Sequence, residues 1–319
     1  MKKTNIVSLA LLLVISSAAA FGARFDPAKA AGMAGGTGDF DFVVMADVQE
    51  PPLLKENLQW LDALGGDFGV IVGDMTPGYT DSAKQSAFWN EFEATANGLK
   101  RPFVMVPGNH DVYDDSSTAA WRKRYGAMWF SWNNKGCHFI ALESVLKTPD
   151  GMLGKEQVEW LKKDLEASKS ARATFVFTHW PLWFPEYEGA KWAAEVHPML
   201  AAAGVDFVFC GHEHHYELGE KKDGVQYVML GPTAGNTGES FGSFFNALLV
   251  SVRGSAVTFK LTTPKGEKRA DFYTREVAER AERPLDMAPI AKIGKKRPLD
   301  IVIRLENPWK DKPVKGRYM

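Results

Sequence analysis

Apolar residues along this chain keep two rhythms. Short, nearly continuous apolar runs occupy Phe40–Ala46, Phe68–Val72, Pro102–Val106, Phe139–Leu142, Ala173–Thr178 and Val205–Cys210. Between them lie segments with helical spacing: Leu53–Leu64, Ser82–Ala96, Ser117–Tyr125, Lys155–Ser168 and Lys191–Ala203. In Lys155–Ser168, Val158, Leu161 and Leu165 share one face, while Glu159, Lys162, Lys163 and Glu166 fill the other. Buried strands alternating with amphipathic helices predict an α/β domain. Beyond Gly211 the rhythm changes to hairpins. Tyr216–Leu218 and Val225–Leu230 flank the tight-turn signal Asp223-Gly224, and Phe244–Val252 and Ala256–Leu261 flank Arg253-Gly254. A second sheet packed on the first, with helices outside, is the expected architecture. After Pro264 the pattern thins to a short charged helix at Val277–Arg283 and a strand at Leu299–Leu305.

The N-terminus follows a different pattern. Lys2 and Lys3 precede an apolar run from Ile6 to Ile15, which gives way to Ser16-Ser17-Ala18-Ala19-Ala20. This is the layout of a cleaved secretory signal peptide, and the run is too short for an ordinary membrane span. The boundaries expected are a signal peptide over 1–20, a flexible leader over 21–39, a domain over 40–263 and a basic extension over 264–319. A periplasmic or secreted location follows, with no membrane span in the mature chain. Only Cys137 and Cys210 are present. One should open a strand and the other close one, at opposite ends of the sheet, so two buried thiols are expected rather than a disulfide.

Charge adds little. The chain has 319 residues, with 38 Lys/Arg against 39 Asp/Glu, so net charge directs it neither to nucleic acid nor to acidic lipid. The segment from Thr263 onward carries a basic surplus, which reads as solvated surface.

The chemistry sits where strands end. Phe42–Ala46 runs into Asp47-Val48-Gln49, Val70–Val72 into Gly73-Asp74, and Phe103–Val106 into Gly108-Asn109-His110-Asp111. Phe175–Phe177 runs into Thr178-His179, and Val208–Cys210 into Gly211-His212-Glu213-His214. Ligands in α/β folds bind outside the carboxyl ends of strands. Two Asp, one Gln, one Asn and four His gathered there suit Mn²⁺, Zn²⁺ or Fe, and do not suit Ca²⁺, which prefers oxygen throughout. Glycines before Asp74, Asn109 and His212 keep side-chain bulk out of the site.

Asp-x-His, Gly-Asp, Gly-Asn-His-[Asp/Glu], a later His and Gly-His-x-His, in this order, are the motifs of the calcineurin-like metallophosphoesterases, and the sequence resembles that family across Asp47–His214. Gly-Asp alone carries no weight; five blocks in order at strand ends do. The resemblance implies a four-layer α-β-β-α sandwich of two mixed sheets and a pair of divalent ions, Mn²⁺ ahead of Fe or Zn. By position, Asp47, Gln49, Asp74 and His214 would hold the first ion, and Asp74, Asn109, His179 and His212 the second, with Asp74 shared. A hydroxide between the ions would attack phosphorus in line, while His110, not a ligand, would hand a proton to the leaving oxygen or steady the transition state as a cation.

Departures from the family pattern bear on this expectation. Gln49 replaces the usual His of the first block. This is either a weakened first site or an Asp-x-Gln variant of the kind found in manganese-dependent ADP-ribose/CDP-alcohol diphosphatases, where an amide oxygen favours Mn²⁺. The purple acid phosphatase arrangement is not expected, because it places a Tyr where this chain has Pro77, and Tyr79 lies two positions further on. Pro77 also replaces the Asp that orients the proton-donating His in protein phosphatases, which disfavours phosphoproteins as substrates. Asp111 reads as a structural acid. His138 and His197 read as strand or helix-surface residues, and His215 and Glu213 as pointing away from the ligands. The aromatic stretch Trp180–Tyr187, followed by Trp192, fits a substrate wall or a core equally well, with Trp183 and Tyr187 as stacking candidates. The function expected is hydrolysis of small phosphate monoesters, diesters or nucleotide-like diphosphates. The alternative is a non-catalytic binding protein on the same fold with a weakened first metal site, supported by Gln49 alone and opposed by intact Asn109 and His110. A secreted structural or adhesive protein, using its tail to bind a partner, is a third reading.

Overall fold

A computed structural model describes residues 38–238 and 242–282. The expected signal peptide, nearly all of the leader, and the strand at Leu299–Leu305 lie outside these residues. Among the described residues, no helix is long and apolar enough to cross a membrane.

Strand β1 (Phe40–Met45) shows why the fold has layers. Phe42 and Val44 point to one face, Val43 and Met45 to the other, and the two pairs are buried in two different clusters. A strand apolar on both faces must be covered on both. It pairs in parallel with β2 (Phe68–Val72), which pairs in parallel with β3 (Phe103–Val106). On its other side β1 pairs antiparallel with a strand from the second half of the chain, Ala247–Arg253, so this first sheet is mixed. The second sheet takes β4 (Phe130–Asn134), β5 (Cys137–Leu142), β6 (Thr174–Thr178), β7 (Phe207–Cys210), β8 (Glu217–Lys222) and β9 (Val225–Met229), in the order β4-β5-β6-β7-β9-β8. Continuing from Ala247–Arg253 (β10), β11 (Ala256–Thr263) and β12 (Gly266–Lys268) complete the first sheet as β12-β11-β10-β1-β2-β3.

Between the sheets lies an aromatic seam. Phe42 stacks on Phe68 with ring centres 5.3 Å apart, and meets Phe139 and Phe175 of the opposite sheet edge-on at 5.4 and 5.1 Å. Each such pair adds about 0.5–1.5 kcal/mol beyond the area it buries. Outside the first sheet, Leu54 and Leu61 of helix Pro51–Ala63, Trp89 and Phe92 of Ser82–Ala96, and Trp121 of Asp115–Tyr125 cover Val43, Met45 and Ile71. Outside the second, Leu161 and Leu165 of Lys155–Ala167 and Leu200 of His197–Ala202 cover Ile140, Val176 and Val208. This is the α-β-β-α sandwich.

Three differences from the sequence reading have local causes. Strand β4 was not foreseen; it forms a hairpin with β5 through Lys135-Gly136, both left-handed, and its residues show no clean alternation. The helix expected over Lys191–Ala203 starts at Gly189 and opens into a π turn at Trp192–Val196, directly before Pro198, which cannot donate to the turn behind it. At the C-terminal side the sheet runs on past Thr263: β12 pairs with β11, Tyr273 and Ala278 are buried, and helix Arg275–Glu282 packs near β8. Cys137 opens β5 and Cys210 closes β7, in parallel strands with β6 between them, and both are buried free thiols as expected. Burial raises the pKa of each.

Candidate active site

The carboxyl ends of β1, β2 and β3 from one sheet meet those of β6 and β7 from the other. Backbone hydrogen bonds tie the turns together: Asp47 N–H donates to the Gly73 carbonyl (3.1 Å), Val48 N–H to Asp74 (2.9 Å) and Gly211 N–H to His179 (3.1 Å). Ligand-type atoms of Asp74, His179 and His212 lie within 4.8 Å of one another, and so do those of Asp47, Asp74 and His214. Asp74 belongs to both groups.

The backbone is strained to achieve this. Asp47, Asp74, His212 and His214 adopt left-handed φ of 51°, 56°, 77° and 51°. Each such residue costs about 1–2 kcal/mol, a cost that clusters at sites where geometry matters more than stability. Close approach adds to the constraint: a Cβ on Gly108 would fall onto the Asp74 carboxylate.

Two imidazoles are oriented by main-chain carbonyls. His179 Nδ1 donates to the Val72 carbonyl (2.9 Å), leaving Nε2 3.1 Å from Asn109 Oδ1 and 3.3 Å from Asp74 Oδ1. His214 Nδ1 donates to the Asn236 carbonyl (2.6 Å), leaving Nε2 3.4 Å from Asp47 Oδ1. Burial would lower the pKa of His179, but the Asp74 carboxylate overrides it and raises the pKa to about 9. For His214, burial is likewise overridden by Asp47, and its pKa rises to about 8. His212, buried beside the His179 cation, falls to about 4. Asp74 is lowered, its burial outweighed by His179 and His110.

The donor set fits divalent ions. Both imidazoles turn Nε2 inward among oxygens, where a proton or a metal must sit. The Gln49 side-chain oxygen is buried with no hydrogen-bond partner. An unmet buried carbonyl costs about 1–3 kcal/mol, and a cation would satisfy it. Because metals compete with protons for imidazole nitrogen, Mn²⁺ uptake by metal-free protein should strengthen as pH rises toward about 9, as His214 and then His179 lose their protons. Calorimetry at pH 7 in buffers of different ionisation enthalpy should register proton release; buffer-independent heats would remove these two residues from the ligand set.

His110 stands beside the cluster, not in it. Its backbone N–H donates to Asp74 Oδ1 (2.9 Å), and its Nε2 lies 3.8 Å from Asp74 Oδ2. Nδ1 donates to the Pro77 carbonyl at 2.5 Å. Position 77 therefore orients His110 after all, through its main chain, which the loss of an acidic side chain there had concealed. Asp111 is the structural acid expected: Oδ1 accepts from the Met75 and Thr76 N–H groups and Oδ2 from Gly108 N–H, joining the β2 and β3 turns. Its burial, with Asp74 nearby, raises its pKa to about 8.

The aromatic loop divides between wall and core. Trp180 Nε1 donates to Asn109 Oδ1 (2.8 Å), and its ring lies 5.2 Å from His212. Tyr187 packs 5.7 Å from His212, with its hydroxyl hydrogen-bonded to Glu213. Trp183 instead turns away, against Phe184, Trp192 and Tyr227. Trp180, not Trp183, is thus the tryptophan at the site. His138 and His197 are buried rather than at the surface, bridging Asn133 to Asp164 and Tyr227 to Asp223 respectively. His215 faces Glu217 and Tyr273, away from the cluster.

The family model for calcineurin-like phosphoesterases matches residues 40–216. Among curated proteins, purple acid phosphatase 18 of Arabidopsis thaliana is 28% identical over 214 residues, covering 60% of this chain and 47% of its own length. Human tartrate-resistant acid phosphatase type 5 is 26% identical over 217 residues, covering 57% of this chain and 65% of its own. The chain therefore spans less than two thirds of either relative. Among solved structures, the purple acid phosphatase PPD1 of yellow lupin superposes with a TM-score of 0.56 at 13% identity, over 74% of this chain and 53% of that one. GAP50, the anchor in the inner membrane complex of Plasmodium, gives 0.56 at 17% identity, over 72% and 86%. At these identities the structural likeness is one of fold. These sequence relatives are purple acid phosphatases, although this chain has Pro77 where their arrangement places a tyrosine. Tyr79, discounted as too distant, does reach the site, where its hydroxyl accepts a hydrogen bond from Asn109 Nδ2 (3.0 Å). Two successive left-handed residues, Gly78 and Tyr79, curl the loop back toward His110, which counting along an extended chain does not anticipate.

Proposed function

The chain belongs to the calcineurin-like phosphoesterase family, and on that premise we propose that it hydrolyses small phosphate esters at a two-metal centre. Asp47, Gln49, Asp74 and His214 would hold one ion, and Asp74, Asn109, His179 and His212 the other. The observation that carries this is the shared Asp74 between two ligand groups; the buried, unpartnered Gln49 oxygen, two residues after Asp47, supports it. When bound, the ions supply Lewis acidity toward phosphoryl oxygen and acidify a water enough to serve as nucleophile near neutral pH.

The remaining work falls to the chain's own residues. The Pro77 carbonyl holds His110 by Nδ1, so Nε2 is the nitrogen that carries a proton to the leaving oxygen. Trp180 N–H pins the Asn109 carbonyl oxygen toward His179, which directs its amide NH₂ outward. Trp180 and Tyr187 shield His212 and keep bulk water from that flank. Asp111, by bonding three N–H groups of two turns, holds Asp74 and His110 in register.

Metal analysis of the purified protein, followed by an Mn²⁺-supplemented screen of monoesters, diesters and diphosphates, tests the proposal. About two ions per chain with turnover supports it; about one ion without turnover supports a binding protein instead. Gln49→His should tighten the first site and shift its preference from Mn²⁺ toward Zn²⁺. An unchanged preference in competition binding would show that Gln49 is not a ligand. We also propose export, on the strength of Lys2, Lys3, the Ile6–Ile15 run and the small residues to Ala20. N-terminal sequencing of the protein from extracytoplasmic fractions should find a chain beginning after the first ~20 residues; an intact Met1 there would refute cleavage.

A further inference from the structure

Tyr79 is the large hydrophobic side chain that stands exposed among the described residues, at 61% of its free surface. A lone surface tyrosine ordinarily needs no explanation, but this one is held in place on several sides. Its hydroxyl accepts from Asn109 Nδ2 (3.0 Å), its ring stacks on Tyr113 at 4.8 Å and 29°, and it meets the His110 ring edge-to-face at 4.9 Å. Tyr113 is itself fixed, its hydroxyl donating to the Thr80 carbonyl and accepting from Thr80 N–H. The loop leading to Tyr79 is clamped on His110: Thr76 Oγ1 donates to the His110 carbonyl, and a Cβ on Gly78 would collide with that same carbonyl. Tyr79 adopts φ 48°, a conformation costing a tyrosine about 1–2 kcal/mol. The fold thus spends stability to present one aromatic face rigidly to solvent beside His110.

Tyr113 stacks on the ring, His110 meets it edge-to-face and Asn109 donates to its hydroxyl, yet most of the side chain stays open to solvent beside His110. His110 marks the side on which the leaving oxygen departs. We propose that Tyr79 is a specificity-determining residue that stacks an aromatic ring carried by the leaving group of the ester. This rests on the phosphoesterase reading above and names its substrate class: esters with a flat aromatic group close to the scissile oxygen. A rigid, preorganised ring loses little freedom when it binds, and such a contact favours a flat ring over a puckered one of the same size.

The test compares benzyl phosphate with cyclohexylmethyl phosphate, whose leaving groups match in size and are both primary alkoxides. Wild-type protein loaded with Mn²⁺ should prefer the benzyl ester in kcat/KM by roughly three- to tenfold, the worth of one aromatic pair. Tyr79→Ala should bring that ratio to about one, while Tyr79→Phe, which keeps the ring and loses the hydroxyl, should retain it. Metal content is measured on each variant. If Tyr79→Ala lowers both esters in proportion to lost metal, Tyr79 only positions Asn109 and the inference falls. An unchanged ratio in Tyr79→Ala, or no preference in wild type, overturns it as well while leaving the phosphoesterase reading intact. Wild-type protein that holds two metals yet turns over neither these esters nor any in the wider screen would overturn that reading, and this inference with it.

Discussion

Asp74→Asn is expected to cost the protein both metal ions and reduce turnover to background. Asp74 is the residue common to the two ligand groups, so its loss damages both at once. The substitution preserves volume, which keeps the His110 backbone N–H in reach. It nevertheless replaces a buried carboxylate, whose pKa is held down by His179 and His110, with a neutral amide. On the proposed reading, that removes the negative charge that would offset two cations and the second carboxylate oxygen that would let Asp74 serve both ligand groups. Elemental analysis should fall from about two ions per chain to below one, and circular dichroism should show the sandwich intact, since the aromatic seam between the sheets lies away from this turn. Retention of two ions would exclude a bridging role for Asp74.

His110→Ala should behave in the opposite way, leaving metal content as it was while cutting kcat by about 10² or more, within the range for a lost general acid. Its hydrogen bond to Asp74 comes from the backbone N–H, which alanine keeps, while the ring stands 3.8 Å from that carboxylate. The loss should be steepest for poor leaving groups, which most need the proton. A plot of log kcat against leaving-group pKa should therefore become steeper in the variant. Equal losses across the series would rule out proton donation and leave His110 a purely electrostatic part. Pro77 offers no complementary side-chain variant, because it acts through its carbonyl.

Much of the fold was legible because burial leaves its mark on single strands. Six apolar runs and the helical spacing between them placed the core strands to within a few residues, and Asp223-Gly224 marked its hairpin with left-handed φ at both positions. The ligand-type residues were legible for the same reason: a polar residue ending an apolar run is conspicuous in one dimension. Trp180 and Tyr79 were not. Trp180 lay inside an aromatic stretch whose members differ only in the direction each ring takes, and that direction is set by distant partners: Asn109 and His212 for Trp180, Tyr227 for Trp183. Tyr79 depended on two consecutive left-handed residues, a backbone choice that Gly78 permits but does not announce. The Pro77 carbonyl leaves no trace in a side-chain reading at all.

The sequence by itself determined which residues could do chemistry and that each sat at a strand's end, because the apolar pattern is a local consequence of being buried. Only the tertiary structure decided that five such ends from two different sheets converge, that Asp74 belongs to two clusters of ligand-type residues, and that Gln49 is left with an unmet oxygen. Those facts depend on how the sheets pack and how the turns bend, and they couple residues as distant in the chain as Asp47 and His214. Spacing along a chain cannot carry such relations; they arise when the aromatic seam draws the two sheets together.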